Sequence, residues 1–213
     1  MIKNIIFDLG LVLLDFRPEN YLKKCGLSDE DIPKYKKMIW GSAEWYQCDR
    51  GDFDYEEMVA RICTNNPEYS EKLQVVLDKN NYDNDSILSE VPRSYEYVES
   101  LKKRGYRIFF LSNVDDWILK YDQDTFRVFE LGEGGVYSCE EKCAKPDPRL
   151  YQILLKRYGL VASECVFIDD SPTNVKGAEA VGIKSILHTS IQDTRVKLNA
   201  IIAQEKNQWP EFE

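Results

Sequence analysis

The feature that most constrains this chain is an apolar run near its start that stops on an acid. Residues 5–7 read Ile-Ile-Phe, and Asp8 follows directly. A short run of this kind is typical of a buried strand in a parallel sheet. In open α/β sheets, ligands bind at the carboxyl ends of the strands. The sequence therefore predicts an α/β protein with a doubly wound parallel sheet and the Asp8 carboxylate at its ligand-binding edge.

A second apolar run ends on two further acids. Residues 165–168 read Cys-Val-Phe-Ile, and Asp169 and Asp170 follow. In a parallel sheet both runs end at the same edge, where three carboxylates repel one another unless a cation lies among them. Carboxylate oxygens are preferred ligands of Mg²⁺. We therefore expect a magnesium site formed by Asp8, Asp169 and Asp170.

Two other segments offer groups that suit a phosphate. The strand predicted at 107–111 is followed by Ser112 and Asn113, whose hydroxyl and amide groups can donate to phosphate oxygens. Lys145 begins the sequence Lys-Pro-Asp-Pro and supplies a positive charge just before a predicted helix. These residues favour a phosphoryl-binding site at the same edge of the sheet.

The spacing of these positions indicates an insertion between the first two. The interval from Asp8 to Ser112 is far longer than one β-α crossover needs, whereas each later interval fits one. Residues 17–88 show no convincing buried strand, and glycines and an Asn-Asn-Pro turn divide them into helical pieces. The predicted helices of this insert span 18–25, 29–40, 54–63 and 70–78.

The rest of the chain alternates strands and helices, as a doubly wound sheet requires. After the insert, the predicted strands span 107–111, 136–139, 165–168 and 184–188. The predicted helices span 91–104, 117–129, 148–158, 174–181 and 191–205. We therefore predict a core domain of residues 1–16 and 89–213 that carries an all-helical domain of residues 17–88.

Charge and composition argue against several classes of function. The chain has 28 basic and 37 acidic residues and a net charge of −9, which argues against a nucleic-acid partner and against binding to an anionic membrane. No stretch of about 18 apolar residues exists, and the N-terminus lacks the features of a signal peptide. Six cysteines in 213 residues are too few for a disulfide scaffold. We expect a cytoplasmic protein with reduced thiols.

The motifs and their order resemble the haloacid dehalogenase superfamily, specifically its phosphatases. The resemblance covers essentially the whole chain. Its motifs are the strand ending at Asp8, the pair Ser112 and Asn113, Lys-Pro-Asp-Pro at 145–148 and Asp-Asp-Ser-Pro-Thr-Asn at 169–174. The resemblance implies a Mg²⁺-dependent phosphatase that hydrolyses a small phosphorylated metabolite, with sugar phosphates among the candidates, through an aspartyl-phosphate intermediate. The helical insert would be the family's cap, which closes over the active site.

The resemblance also implies which groups hold the metal ion. Asp8 would be both the nucleophile and a Mg²⁺ ligand. The backbone carbonyl of Gly10 and the side chain of Asp170 would be further ligands. Asp169 would help to hold the ion directly or through water, and Asn174 would orient this loop.

Three core residues and one residue of the insert would contact the substrate. By resemblance, Ser112 and the Asn113 amide would bind the phosphoryl oxygens. Lys145 would pair with Asp8 and with the charge that develops in the transition state. The turn at 41–44 matches the place where helical caps present specificity residues, which makes Trp45 a candidate substrate contact. Aromatic residues in helical lobes are more often packed inside, so a core role for Trp45 stays open.

Gly10 departs from the family's usual pattern. Most family phosphatases have a second Asp two residues after the nucleophile, which protonates the leaving oxygen and then activates water. Such a general acid–base contributes roughly 10²–10⁴ in rate. The Asp-Leu-Gly opening is similar to that of sugar-1-phosphate phosphatases, and we expect leaving groups that need little protonation to be favoured. Asp15 is the first candidate for a replacement acid.

Two alternatives to a phosphatase remain. In a haloacid dehalogenase the same Asp attacks a carbon–halogen bond without a metal, and the paired Asp169 and Asp170 argue against this reaction. A phosphoryl-binding domain that has lost catalysis would act through partners, and the presence of Asp8 and Lys145 disfavours it. Neither the physiological substrate nor the oligomeric state follows from the sequence.

Overall fold

The computed structural model describes residues 1–81 and 87–208 of the chain. Its strands are β1 (Asn4–Phe7), β2 (Leu14–Phe16), β3 (Leu88–Glu90), β4 (Arg107–Ser112), β5 (Gly135–Tyr137), β6 (Cys165–Asp169) and β7 (Lys184–Leu187). Its helices are α1 (Pro18–Lys24), α2 (Ile32–Met38), α3 (Ala43–Asp49), α4 (Tyr55–Asn65), α5 (Ser70–Val76), α6 (Ser94–Lys103), α7 (Asp116–Thr125), α8 (Ser138–Glu141), α9 (Pro148–Tyr158), α10 (Pro172–Ala180) and α11 (Ile191–Gln208). Among the residues described, none of the helices is both long and apolar enough to cross a membrane.

A five-stranded parallel sheet in the order β5-β4-β1-β6-β7 forms the centre of the protein. The register places Phe7 of β1 opposite Phe110 of β4 and Ile168 of β6. The side chains of these strands alternate between two apolar clusters, one on each face of the sheet. Burial on both faces explains why the strands read as continuous apolar runs. The predicted doubly wound parallel sheet is confirmed.

The position of β1 determines where the strand-end acids meet. Because β1 and β6 are parallel neighbours in register, Asp8 and Asp169 lie side by side at the carboxyl edge of the sheet. The Asp8 N–H continues the ladder and donates to the Ile168 carbonyl oxygen at 2.9 Å. The order of strands therefore brings together acids that lie far apart in the sequence.

Helices α1 to α5 lie between β2 and β3, within the segment for which the sequence predicts only helices. β2 and β3 form a separate antiparallel pair, with Leu14 opposite Glu90. These strands were not predicted, because each spans three residues and has only one buried position. The chain therefore enters and leaves the helical segment through paired strands.

The division into a core domain and a cap of residues 17–88 stays a prediction. Within those two predicted domains, residues 82–86 and 209–213 lie outside the described part of the chain. Packing connects the helical segment to the sheet, since side chains of both belong to one apolar cluster.

The structure differs from the sequence prediction at two places. Helix α3 was not predicted, although Ser42 caps it by accepting a hydrogen bond from the Trp45 N–H at 3.0 Å. The strand predicted at 136–139 ends at Tyr137, and α8 begins at Ser138. There the Ser138 hydroxyl accepts a hydrogen bond from the N–H of Val114, a long-range contact that the local sequence does not encode. Other boundaries differ by a few residues.

Candidate active site

A buried lysine joins two strand-end carboxylates at the carboxyl edge of the sheet. Lys145 Nζ lies 2.8 Å from Asp8 Oδ1 and 2.7 Å from Asp169 Oδ2. The side chains of Lys145 and Asp169 are 1% and 0% exposed, so solvent ions screen this pair little. The Leu9 N–H donates to Asp8 Oδ1 at 2.8 Å and helps to orient the carboxylate. Three of the predicted site residues are therefore in direct contact.

Burial and charge oppose each other in this cluster. Burial and the charge of Asp169 raise the pKa of Asp8, Lys145 offsets part of the rise, and the net pKa is about 7. Burial alone would lower the pKa of Lys145, but the charges of Asp8 and Asp169 outweigh this effect and raise it. Lys145 thus offsets only part of the effect of burial on the pKa of Asp8. A second cation beside the carboxylates would lower that pKa further.

The Asp169 carboxylate is surrounded by donors from its own loop. Its Oδ1 accepts from the Ser171 N–H at 2.8 Å, and Asn174 Nδ2 lies 3.1 Å from both of its oxygens. Together with Lys145, these donors use both oxygens of the carboxylate. Asp169 therefore holds Lys145 and the start of α10 in place.

Three carboxylates form a group that fits a metal ion. Asp8, Asp169 and Asp170 each offer an oxygen, and these oxygens lie within 4.8 Å of one another. Asp170 is half-buried, and burial followed by the charge of Asp169 raises its pKa. Oxygen donors crowded in this way suit a hard divalent cation such as Mg²⁺.

Ser112 and Asn113 lie at the end of β4, beside Asp8, but their side chains differ in surroundings. Ser112 is buried and lines a cavity above the sheet edge. The Asn113 side chain is bound to the backbone of Lys145: its Nδ2 donates to the Lys145 carbonyl at 3.0 Å, and its Oδ1 accepts from the Lys145 N–H at 2.8 Å. The side-chain amide of Asn113 thus fixes the position of the backbone at Lys145.

The cavity has a volume of about 280 Å³ and extends from the sheet edge to the helical segment. Its polar end contains Ser112, Asn113 and the backbone of Gly10. The remaining wall is mostly apolar and aromatic, and its aromatic members are Phe16, Trp40 and Trp45. A phosphorylated small molecule with an apolar or ring-shaped face would match this combination.

The sequence left open whether Trp45 contacts a substrate or packs inside the insert, and its surroundings in the structure combine the two. It lines the cavity and is half-buried. Its ring also packs on Trp40, at 5.8 Å between centroids, and on Tyr55, at 6.5 Å. The structure therefore places Trp45 where it can contact a substrate while it supports the fold of the insert.

Gly10 and Asp15 differ in their relation to the cavity. Gly10 lines it, does not require a left-handed backbone, and has no atom within 4 Å of the place where a Cβ would be. Asp15 lies on β2, where its carboxylate is 45% exposed and faces Arg17 at 3.6 Å. Asp15 is not among the residues that line the cavity, so its position does not support the role of replacement acid.

Three further buried or partly buried acids lie near the cavity and were not predicted from the sequence. Asp49 and Asp122 line it, and Asp115 lies beside Asp49. Burial raises the pKa of Asp115 to about 6 and that of Asp122 to about 7, and it raises the pKa of Asp49 well above its usual range. No periodic pattern identifies these acids, because their burial depends on contacts between the helical segment and the core.

The chain matches one family model and resembles several known proteins. Residues 2–182 match the model of the family described as haloacid dehalogenase-like hydrolase. The D-ribitol-5-phosphate phosphatase of Bacteroides thetaiotaomicron is 23% identical, with 95% of this chain and 99% of the relative aligned. A sesquiterpene phosphatase of Aspergillus oryzae is 24% identical, with 94% and 96% aligned. A HAD family enzyme of Bacteroides thetaiotaomicron, solved with magnesium and inorganic phosphate, has the same fold, with a TM-score of 0.70 at 22% identity over 89% of this chain and 95% of that one.

Proposed function

Because the chain belongs to the haloacid dehalogenase-like hydrolases, we propose that it is a Mg²⁺-dependent phosphatase that hydrolyses a small phosphorylated metabolite. The observation that carries this proposal is the buried contact of Lys145 with Asp8 and Asp169, next to Asp170. Gly10 and Ser112, at the same edge of the sheet, line the cavity. A nucleophile, a fixed positive charge and a group of oxygen ligands are thus within one small volume.

Phosphate monoesters are among the slowest substrates to hydrolyse, with accelerations up to about 10²¹ needed. Asp8 divides the reaction into two steps: its carboxylate attacks phosphorus to form an aspartyl phosphate, which water then cleaves. Lys145 and Ser112 stabilise the negative charge of the transferred phosphoryl group. The three residues would therefore act on the same phosphoryl group, Asp8 at phosphorus and Lys145 and Ser112 at its oxygens.

The donor set of the site also supports the metal ion. Asp8, Asp170 and the Gly10 carbonyl would hold Mg²⁺, while Asp169, whose two oxygens already accept hydrogen bonds, would act through water or through Lys145. When bound, the ion neutralises charge on the phosphoryl oxygens. It would also keep Asp8 ionised against the effect of burial.

The cavity and the relatives support one class of substrate. The aromatic wall suits the carbon face of a sugar or sugar alcohol, and one relative is a D-ribitol-5-phosphate phosphatase. We therefore propose sugar and alditol phosphates as the first substrates to screen, and an insert of residues 17–88 that caps the site. A cytoplasmic location and the absence of a nucleic-acid partner remain part of this proposal.

Removal of metal tests the proposed function directly. With p-nitrophenyl phosphate and Mg²⁺ we expect turnover that falls at least about 100-fold in excess chelator, since the ion contributes several kcal/mol to the transition state. Mg²⁺ should also raise the melting temperature by binding the folded state. Asp170→Asn should remove most of this thermal shift, and Asp124→Asn, an exposed acid on α7, should keep it.

Other outcomes would favour the alternatives. Undiminished turnover in chelator, together with release of halide from 2-chloropropionate, would favour a dehalogenase. Phosphate binding without turnover of any phosphate ester would favour a non-catalytic domain.

Replacement of Trp45 tests the wall of the cavity. Trp45→Ala should change KM and the ranking of substrates by roughly tenfold, because stacking against the ring contributes about 1–2 kcal/mol. Trp45→Phe retains an aromatic face and should show a smaller change. A large fall in melting temperature with an unchanged substrate ranking would instead make Trp45 a core residue.

A further inference from the structure

The reaction needs a proton donor that the sequence around Asp8 does not supply. An alkoxide leaving group departs slowly unless it is protonated, and a general acid contributes roughly 10²–10⁴ in rate. Gly10 has no side chain, and Asp15 is paired with Arg17 away from the cavity. This inference rests on the proposed phosphatase function and concerns which group donates the proton.

Asp49 lies near the polar end of the cavity, which contains Ser112 and Gly10. It is the last residue of α3 and lines the cavity together with Gly10 and Ser112. The Asp115 N–H donates to its carboxylate, and the Ser138 hydroxyl donates to its backbone carbonyl. The first contact attaches Asp49 to the segment that directly follows Ser112 and Asn113, and the second attaches it to the start of α8.

Further contacts hold the end of α3 against the core. The Ser138 hydroxyl that binds the Asp49 carbonyl also accepts from the N–H of Val114 at 2.9 Å. Gly51, two residues after Asp49, has a left-handed backbone, and a Cβ there would lie 2.3 Å from the Cys139 carbonyl oxygen. The end of α3 is therefore in close contact with the core, and Asp49 is fixed relative to β4.

The surroundings of Asp49 suit a carboxyl group that carries a proton. Burial raises its pKa well above the usual range, and the charge of Asp115 adds to the rise. Hydrogen bonds from the Asp115 N–H and the Trp45 side chain oppose this effect without reversing it. Burial also raises the pKa of Asp115. The charge of Asp116 adds to this rise, and the charge of Lys79 opposes it.

Asp122 is the other acid in the cavity, but it lies further along α7. Asp115 caps the start of that helix by accepting from the N–H groups of Trp117 and Ile118, and Asp122 lies about two turns beyond it. The Asp122 carboxylate also has an oxygen without a hydrogen-bond partner among the described residues. The two helical turns between Asp115 and Asp122 favour contact of Asp122 with the distal part of a substrate, not with the leaving oxygen.

We propose that Asp49 is the general acid–base of this enzyme, supplied by the helical segment in place of the side chain missing at Gly10. As Asp8 attacks phosphorus, the bond from phosphorus to the leaving oxygen breaks and the Asp49 proton moves to that oxygen, which releases the alcohol. In the second step the Asp49 carboxylate takes a proton from water as the water oxygen bonds to phosphorus and the bond from phosphorus to the Asp8 oxygen breaks. Inorganic phosphate and free Asp8 result, and Asp49 is protonated again.

Two substrates of similar shape and different leaving groups test this role. Phenyl phosphate has a poor leaving group and p-nitrophenyl phosphate a good one, so only the first depends strongly on protonation. In Asp49→Asn, kcat/KM should fall at least about 100-fold for phenyl phosphate and less than about tenfold for p-nitrophenyl phosphate. Asp124→Asn should change neither value. An equal fall for both substrates, or no fall, would overturn the assignment.

Restoration of the acid at Gly10 provides the matching control. Since a Cβ at Gly10 has free space and needs no left-handed backbone, Gly10→Asp can carry a carboxyl group at the position that most family phosphatases use. Added to Asp49→Asn, it should restore phenyl phosphate hydrolysis at least about tenfold. A double variant no faster than Asp49→Asn would show that the lost group was not a proton donor.

The unmodified protein allows a test that does not depend on folding of a variant. Across a series of substituted phenyl phosphates, log kcat/KM should depend only weakly on the pKa of the leaving phenol. A steep dependence would show that no group protonates the leaving oxygen and would overturn the role of Asp49. Failure of the proposed function would appear differently, as absence of Mg²⁺-dependent hydrolysis for every member of the series.

Discussion

Asp8→Asn is expected to lower the turnover of any phosphate ester by at least about four orders of magnitude, because it removes the attacking carboxylate. Asn has nearly the same shape and can still accept a hydrogen bond from the Leu9 N–H, which binds Oδ1 at 2.8 Å in the native protein. The melting temperature should therefore change by only a few degrees. Steady-state kinetics and circular dichroism on the same preparation measure both quantities.

Asp15→Asn is the matched control for this change. It replaces an exposed acid on β2, seven positions after the nucleophile, and should alter turnover by less than about twofold, as surface substitutions usually do. Near-normal activity in Asp8→Asn would move the chemistry to another residue. Loss of activity in Asp15→Asn would return Asp15 to the list of candidate acids.

Lys145→Met is expected to lower turnover by roughly three orders of magnitude and to destabilise the protein by about 3–5 kcal/mol. The catalytic loss follows because the positive charge beside Asp8 is removed. The loss of stability follows because the carboxylates of Asp8 and Asp169 remain buried without their common partner. Lys176→Met, at an exposed position on α10, should change neither quantity.

A second substitution separates the two effects of Lys145. In Lys145→Met, adding Asp169→Asn removes one uncompensated charge and should recover part of the lost stability. It should not recover turnover, since no positive charge returns to the phosphoryl site. Urea denaturation and kinetics measure the two effects. Recovery of activity with stability would show that Lys145 acts only by supporting the fold.

The acidic edge of the sheet could be predicted from the sequence because the patterns that indicate it lie within short segments. Asp8 and Asp169 each follow an apolar run, and parallel strands place such ends together whatever the chain does between them. Lys145 was noticed as a positive charge before a predicted helix, and its pairing with Asp8 was expected from the family resemblance. Its contact with Asp169 was not expected. The presence of a helical insert followed from an interval too long for one crossover.

Other features depend on contacts between distant segments. From the sequence, the Asn113 amide was predicted to donate to phosphate. In the structure its side chain makes two hydrogen bonds with the backbone of Lys145. β2 and β3 were missed because strands of three residues have no visible period. In each case the partner lies far along the chain, so local pattern carries no information about it.

The sequence by itself determined the parallel sheet and the acids at its edge, since strand period and the residue after each strand are properties of short segments. Only the tertiary structure decided which acids are buried around the cavity. Asp49 lies at the end of an unpredicted helix, and its environment comes from Asp115 and Ser138 in the core. Burial raises the pKa of a carboxyl group only when distant parts of the chain exclude water from it, and this exclusion is set by packing.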